Sequence, residues 1–134
     1  MSTRRVVITG IGAVSPIGNT REELWQGILD GTCGAGPITR FDASDYKVRF
    51  AMEVKGFDPR ARLSDRRLRE TDLFSQFAVT ASIEAVDDAG LEVGSADPIR
   101  IGVITGTGVG GLVGSILLAF GIEAWWDESA RAGG

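Results

Sequence analysis

Three groups of residues in this chain have types and spacings that could do chemistry: a lone thiol, a cluster of guanidinium groups and two runs of glycine. Cys33 sits in Thr32-Cys33-Gly34-Ala35-Gly36. A reactive thiolate needs a helix N-terminus, a cation or a base to lower its pKa, and a glycine-rich loop supplies none of these. The chain contains no histidine. That removes the commonest general base, the commonest metal ligand and every Ser-His or Cys-His pair. A zinc site would have to rest on carboxylates, and no ligand spacing is visible among them. Cys33 therefore reads as an incidental free thiol. No catalytic residue, metal site or cofactor is expected here.

The arginines are Arg60, Arg62, Arg66, Arg67 and Arg69, five in ten residues of a chain whose net charge is −4. Arg66 and Arg69 are three apart and share one face if the segment is helical. One reading is a solvated helix face with Asp65 and Glu70 as partners. The other is a docking patch for an acidic protein, acting through on-rate and orientation.

Each glycine run follows a short apolar segment. The first is Val6-Val7-Ile8-Thr9-Gly10-Ile11-Gly12, continuing to Ser15-Pro16 and Gly18; the second is Ile101-Gly102-Val103-Ile104-Thr105-Gly106, continuing to Gly111. Glycine at the end of a strand permits positive φ or close approach of another group, and in open α/β sheets ligands bind at that edge. Gly106, Gly108 and Gly111 satisfy the dinucleotide spacing. That pattern also demands a further strand and an acidic residue about 20 positions on. Asp127 and Glu128 fall there with no strand before them. Tight strand-on-helix packing is the favoured reading of both turns, with a small nucleotide-binding module as the alternative.

These residues need elements to position them. Continuous Val6-Val7-Ile8 predicts a strand over 4–9 buried on both faces. Thr20-Arg21-Glu22-Glu23 is a capping box that opens a helix through Leu29, stopped by Asp30-Gly31, with Leu24, Trp25, Ile28 and Leu29 as its apolar face. No regular pattern runs from Gly31 to Lys47, and a loop that long is uncommon unless functional or covering a neighbour. A short strand is expected over 49–54, with helix starts at Asp58-Pro59 and Ser64. The longest helix is expected over 71–89, with Leu73, Phe74, Phe77, Ala78, Ala81, Ala85 and Val86 on one face and Gly90 as its stop. A strand over 101–105 and a helical tail complete an α/β order with parallel strands.

At 134 residues and 43% hydrophobic, the chain suffices for one domain with a core. Fourteen Lys and Arg against 18 Asp and Glu argue against nucleic acid as partner. The apolar run after Arg4-Arg5, interrupted by glycine at position 10, is too short for a signal peptide core. The longest apolar run, Leu112 to Phe120, is too short for a membrane span. One cysteine excludes an internal disulfide. A soluble cytoplasmic chain is expected.

Several segments together resemble a known family. Arg4–Gly18, Phe41-Asp42-Ala43-Ser44, Asp72-x-Phe74-x-Gln76-Phe77-Ala78, and Ile101 through Gly111 are similar to the start of a β-ketoacyl-(acyl carrier protein) synthase of the synthase II type, with aromatic polyketide ketosynthases as near relatives. The likeness runs without gaps from Arg4 to about Leu112 and covers about a third of the family's usual length. It implies the N-terminal part of a thiolase-like α/β fold, here a partial parallel-containing sheet with helices, from a homodimeric enzyme that condenses an acyl chain with malonyl-carrier protein and releases carbon dioxide. The family's nucleophilic cysteine and two enolate-stabilising histidines lie beyond this sequence. Cys33 matches no nucleophile position. The resemblance carries Val109 to the acyl pocket near the dimer interface, and Arg66 and Arg69 to positions that meet the acidic acyl carrier protein. Glu70 stands where a basic residue is common. Residues 113–134 depart from the pattern and are expected as a divergent helical tail, as from a truncation, frameshift or split gene. A non-catalytic scaffold that docks carrier protein or dimerises with a full synthase is the alternative.

Overall fold

The computed structural model describes residues 5–92, 94 and 97–106. Val109, the second glycine run from residue 107 onward and the expected tail over 113–134 lie outside the described residues. The contacts divide the chain into two units, residues 13–58 and residues 1–12 with 59–134.

In the unit of residues 13–58, helix α1 spans Arg21–Leu29. Its start follows the capping-box expectation with one shift. Thr20 Oγ1 accepts the Glu23 amide at 3.2 Å, while Glu23 Oε2 accepts the Asn19 amide at 2.7 Å, one residue earlier than the usual reciprocal bond. Glu22 and Glu23 also place negative charge in the first turn, where the helix dipole favours it. Gly31, with φ of 65°, ends the helix in the left-handed region that glycine adopts without a Cβ penalty.

The expected apolar face of α1 is not its buried side. Trp25 is 61% exposed, and Ile28 and Leu29 are exposed with it. The buried position is Gly27, where a Cβ would lie 2.9 Å from the Ile17 carbonyl oxygen. Close backbone approach, rather than the larger side chains, seats this helix on the Ser15–Gly18 turn, which closes through a Ser15 amide to Gly18 carbonyl bond of 2.8 Å.

The long loop is organised by a small antiparallel sheet. Strand β1 (Gly36–Pro37) pairs with β2 (Phe50–Ala51), Gly36 opposite Ala51 and Pro37 opposite Phe50. The Ile38 amide extends the ladder to the Arg49 carbonyl at 3.0 Å. Inside the loop, Asp42 Oδ1 accepts the Ser44 amide at 3.0 Å, an Asx turn. Phe41 and Tyr46 meet edge to face with centroids 5.7 Å apart.

In the other unit, helix α2 spans Asp65–Glu70 and helix α3 spans Leu73–Asp88, with single 3₁₀ turns at Pro59–Ala61 and Pro98–Arg100. The proline at 59 therefore opens a 3₁₀ turn. Ser64 occupies the N-cap position of α2 without a side-chain cap bond. Gly90 ends α3 with φ of 61° as expected. The core is Leu63, Val79 and Ile83, with Leu68 and Ala78 packed against it. Each fully buried aliphatic side chain of this kind contributes about 2 kcal/mol.

The face expected for α3 is corrected by this packing. The positions buried most deeply are Ser75, Val79 and Ile83, while the expected set is half-buried. α3 is covered on two sides, by Leu63 and Leu68 on one and by the chain at Gly10–Gly12 on the other, so no single stripe faces inward. There the backbone comes close enough that a Cβ on Gly10 would stand 2.7 Å from the Ala89 nitrogen, and one on Gly12 would stand 2.8 Å from the Ala85 nitrogen. The Ile11 amide between them donates to Asp88 Oδ2 at 2.9 Å. Packing against a helix is thus what the first glycine run does.

The parallel strands expected over 4–9 and 101–105 are absent among the described residues, whose sheet is the antiparallel β1–β2 pair. A strand exists only with a hydrogen-bonded neighbour. Val6 is 90% exposed, Ile8 83% and Ile104 99%. These segments carry strand composition without a ladder.

Candidate functional site

α2 projects Arg66 and Arg69 outward because its other side is anchored. Leu63, just before the helix, is buried, and Leu68 packs on the core. The Arg62 guanidinium is ion-paired with Asp87 of α3. At the far end, Gln76 Nε2 donates to the Thr71 carbonyl at 2.9 Å and the Leu68 carbonyl at 3.4 Å, and Thr71 Oγ1 donates to the Arg67 carbonyl at 2.6 Å. These bonds satisfy carbonyls that a helix C-terminus leaves without intrahelical partners. Gln76 and Asp87 are positioning residues that the periodic pattern did not single out. Their role rests on contacts 5 to 25 residues apart in sequence.

Of the residues expected at the surface, Arg66 and Arg69 lie on α2 and are both exposed. Arg66 Nε pairs with Glu70 Oε1 at 3.0 Å, four residues on, and Arg60 Nε lies 3.7 Å from Asp65 Oδ1. The solvated-face reading is therefore realised in part, with Asp65 and Glu70 as the partners. Arg69 is exposed and makes no ion pair with a described residue. Surface pairs of this kind are worth at most about 1 kcal/mol and exchange readily, so they do not cancel the local excess of positive charge. Val109 cannot be joined to this surface, since it lies outside the described residues.

Among the described residues no histidine or other base is placed to activate the thiol. Cys33 is free and exposed. Among the described residues no group of three or more His, Cys, Asp and Glu is placed to hold a metal ion. No helix among them is long and apolar enough to cross a membrane.

Three exposed carboxyls lie below their ordinary pKa range. Hydrogen bonding with Arg21 lowers Glu22, and the Ser44 amide lowers Asp42. Glu53 is lowered by the Thr39 hydroxyl and then by the Thr39 amide, which donate to its two oxygens at 2.6 and 3.1 Å. A depressed folded-state pKa means that the ionised form is favoured by folding. The Thr39–Glu53 clamp is thus present above the ordinary glutamate pKa of about 4.3 and is lost as pH falls through the depressed value. Protection of the Thr39 amide against hydrogen exchange, taken relative to the intrinsic rate at each pH, is expected to fall in that acid window, and this fall is expected to be lost in Glu53→Gln.

Comparison with known proteins gives the family. Residues 3–124 match the family model described as Beta-ketoacyl synthase, N-terminal domain. The chain belongs to the β-ketoacyl synthase family. It is 49% identical over 112 residues to the 3-oxoacyl-[acyl-carrier-protein] synthase 2 of Synechocystis sp., covering 84% of this chain and 27% of that protein. It is 47% identical over 131 residues to the enzyme of the same name from Vibrio cholerae, covering 98% of this chain and 31% of the other. Among solved structures, the ishigamide ketosynthase/chain length factor superposes with a TM-score of 0.62 at 43% identity, over 67% of this chain and 22% of that one. This β-ketoacyl synthase chain therefore spans less than a third of the curated relatives it matches, and membership implies the thiolase-like α/β fold.

Proposed function

We propose that this chain is the N-terminal part of a 3-oxoacyl-(acyl carrier protein) synthase II-type enzyme of fatty acid synthesis, and that its own share of the function is to scaffold the fold and receive acyl carrier protein on α2. The observation that carries this reading is the outward display of Arg66 and Arg69 by a helix fixed through Leu63, Leu68 and Gln76, in a chain nearly half identical to synthases whose name includes the carrier. In this reading Val109 lines the acyl pocket, and the enzyme is a cytoplasmic homodimer. The exposed segments at Val6–Ile8 and Ile101–Thr105 become parallel strands of its central sheet.

Carbon–carbon bond formation is not assigned to residues present here. Condensation needs an acylated nucleophile and donors for the enolate left by decarboxylation. The chain has no imidazole, and its one thiol lies exposed in a loop. Reading the coding DNA beyond codon 134 in all frames tests the assignment. A segment bearing one cysteine and two histidines is expected; its absence would overturn the reading as part of a catalytic synthase and leave a non-catalytic docking protein.

A further inference from the structure

The ion pair within α2 has a consequence for docking. Glu70 is a group already paired with Arg66, and an acidic partner competes with it for that guanidinium. The pair is short, at 3.0 Å, but its side chains are 77% and 46% exposed. Solvent screens such a pair and its net worth is small, so a partner carboxylate can exchange for Glu70 at little cost. After exchange, the Glu70 carboxylate remains beside the incoming negative surface and repels it. Arg69, one residue before Glu70, has no ion pair with a described residue to compete with a partner. Arg66 is thus engaged within its own helix, and Arg69 is not.

We infer that Glu70 is an intramolecular competitor for the Arg66 guanidinium, setting how tightly and how salt-dependently acyl carrier protein docks on α2. This rests on the carrier-docking reading. Arg69 provides the first attraction, and Arg66 joins it when a partner carboxylate displaces Glu70. Removing the Glu70 charge ends the competition and the repulsion together, and raises the positive field over the patch by one charge. On-rate is the quantity most sensitive to such a change at an exposed rim.

The test is a titration of purified acyl carrier protein against the full chain and its Glu70→Gln, Arg69→Glu and Glu70→Ala variants, at low and at moderate salt. Glu70→Gln is expected to tighten binding about threefold, mainly through on-rate, and to steepen the loss of affinity with added salt. A structural role for Glu70 would leave that salt slope unchanged. Arg69→Glu is expected to weaken binding. Circular dichroism monitors folding, and Glu70→Ala carries the same expectation if the glutamine variant loses helix. Binding weakened by Arg69→Glu but unmoved or weakened by loss of the Glu70 charge overturns the competitor role while leaving the docking surface standing. If Arg69→Glu also has no effect, the docking surface falls and the competitor role with it.

Discussion

Gly12→Ala is expected to destabilise the chain by about 3 kcal/mol or more. The new Cβ would stand 2.8 Å from both the Ala81 carbonyl carbon and the Ala85 nitrogen. These are backbone atoms of α3, held by the helix's own hydrogen bonds, and cannot swing aside as the end of a long side chain would. Either α3 moves off the Gly10–Gly12 segment, or that segment leaves and breaks the Ile11 amide bond to Asp88. Both exits loosen the helix that carries Val79 and Ile83 of the core. Gly102→Ala is the matched control, because a Cβ there meets nothing within 4 Å; its effect is expected within about 0.5 kcal/mol of zero. Urea unfolding followed by circular dichroism measures both. A Gly12→Ala midpoint equal to that of the unsubstituted chain would show that the close approach to α3 is not maintained.

Charge reversal at both exposed arginines, Arg66→Glu with Arg69→Glu, is expected to weaken acyl carrier protein binding by at least about tenfold, or about 1.4 kcal/mol. The two substitutions take the net charge from −4 to −8, each replacing one positive charge with one negative. They also place four carboxylates, with Asp65 and Glu70, on one short helix. Most of the loss is expected in the association rate, since rim charges act chiefly there. Net charge alone would produce a smaller effect. Arg40→Glu with Lys47→Glu makes the same change in total charge at exposed positions of the other unit and is expected to alter binding less than about twofold. Equal losses in the two double variants would mean that the partner senses overall charge rather than α2.

The sequence was informative wherever a structure depends on neighbours within about one helical turn. Thr20 and Glu23 made the start of α1 legible, and glycines at 31 and 90 marked the two helix ends with left-handed backbone. α3 lies within two residues of its expected bounds at each end. Features that depend on distant partners were not legible. Nothing in the composition of Val6–Ile8 reveals whether a neighbouring strand is present to pair with it. The pattern Leu24, Trp25, Ile28 and Leu29 names an apolar face but not a partner, and the burial fell on Gly27. Likewise Thr39 with Glu53, and Arg62 with Asp87, are joined only by the fold. At the candidate site, the residue types and spacing of Arg66 and Arg69 were readable. The Gln76 bonds that fix their helix, and the choice of Glu70 as the partner of Arg66, required the three-dimensional arrangement.

Carrier recognition without bond making is the role proposed for this chain, and one assay addresses that division directly. The purified 134-residue chain is incubated with acyl and malonyl thioesters of acyl carrier protein, and the mixture is analysed by mass spectrometry. No 3-oxoacyl product and no acyl group on Cys33 are expected. A 3-oxoacyl thioester formed by this chain alone, or an acylated Cys33, would contradict it.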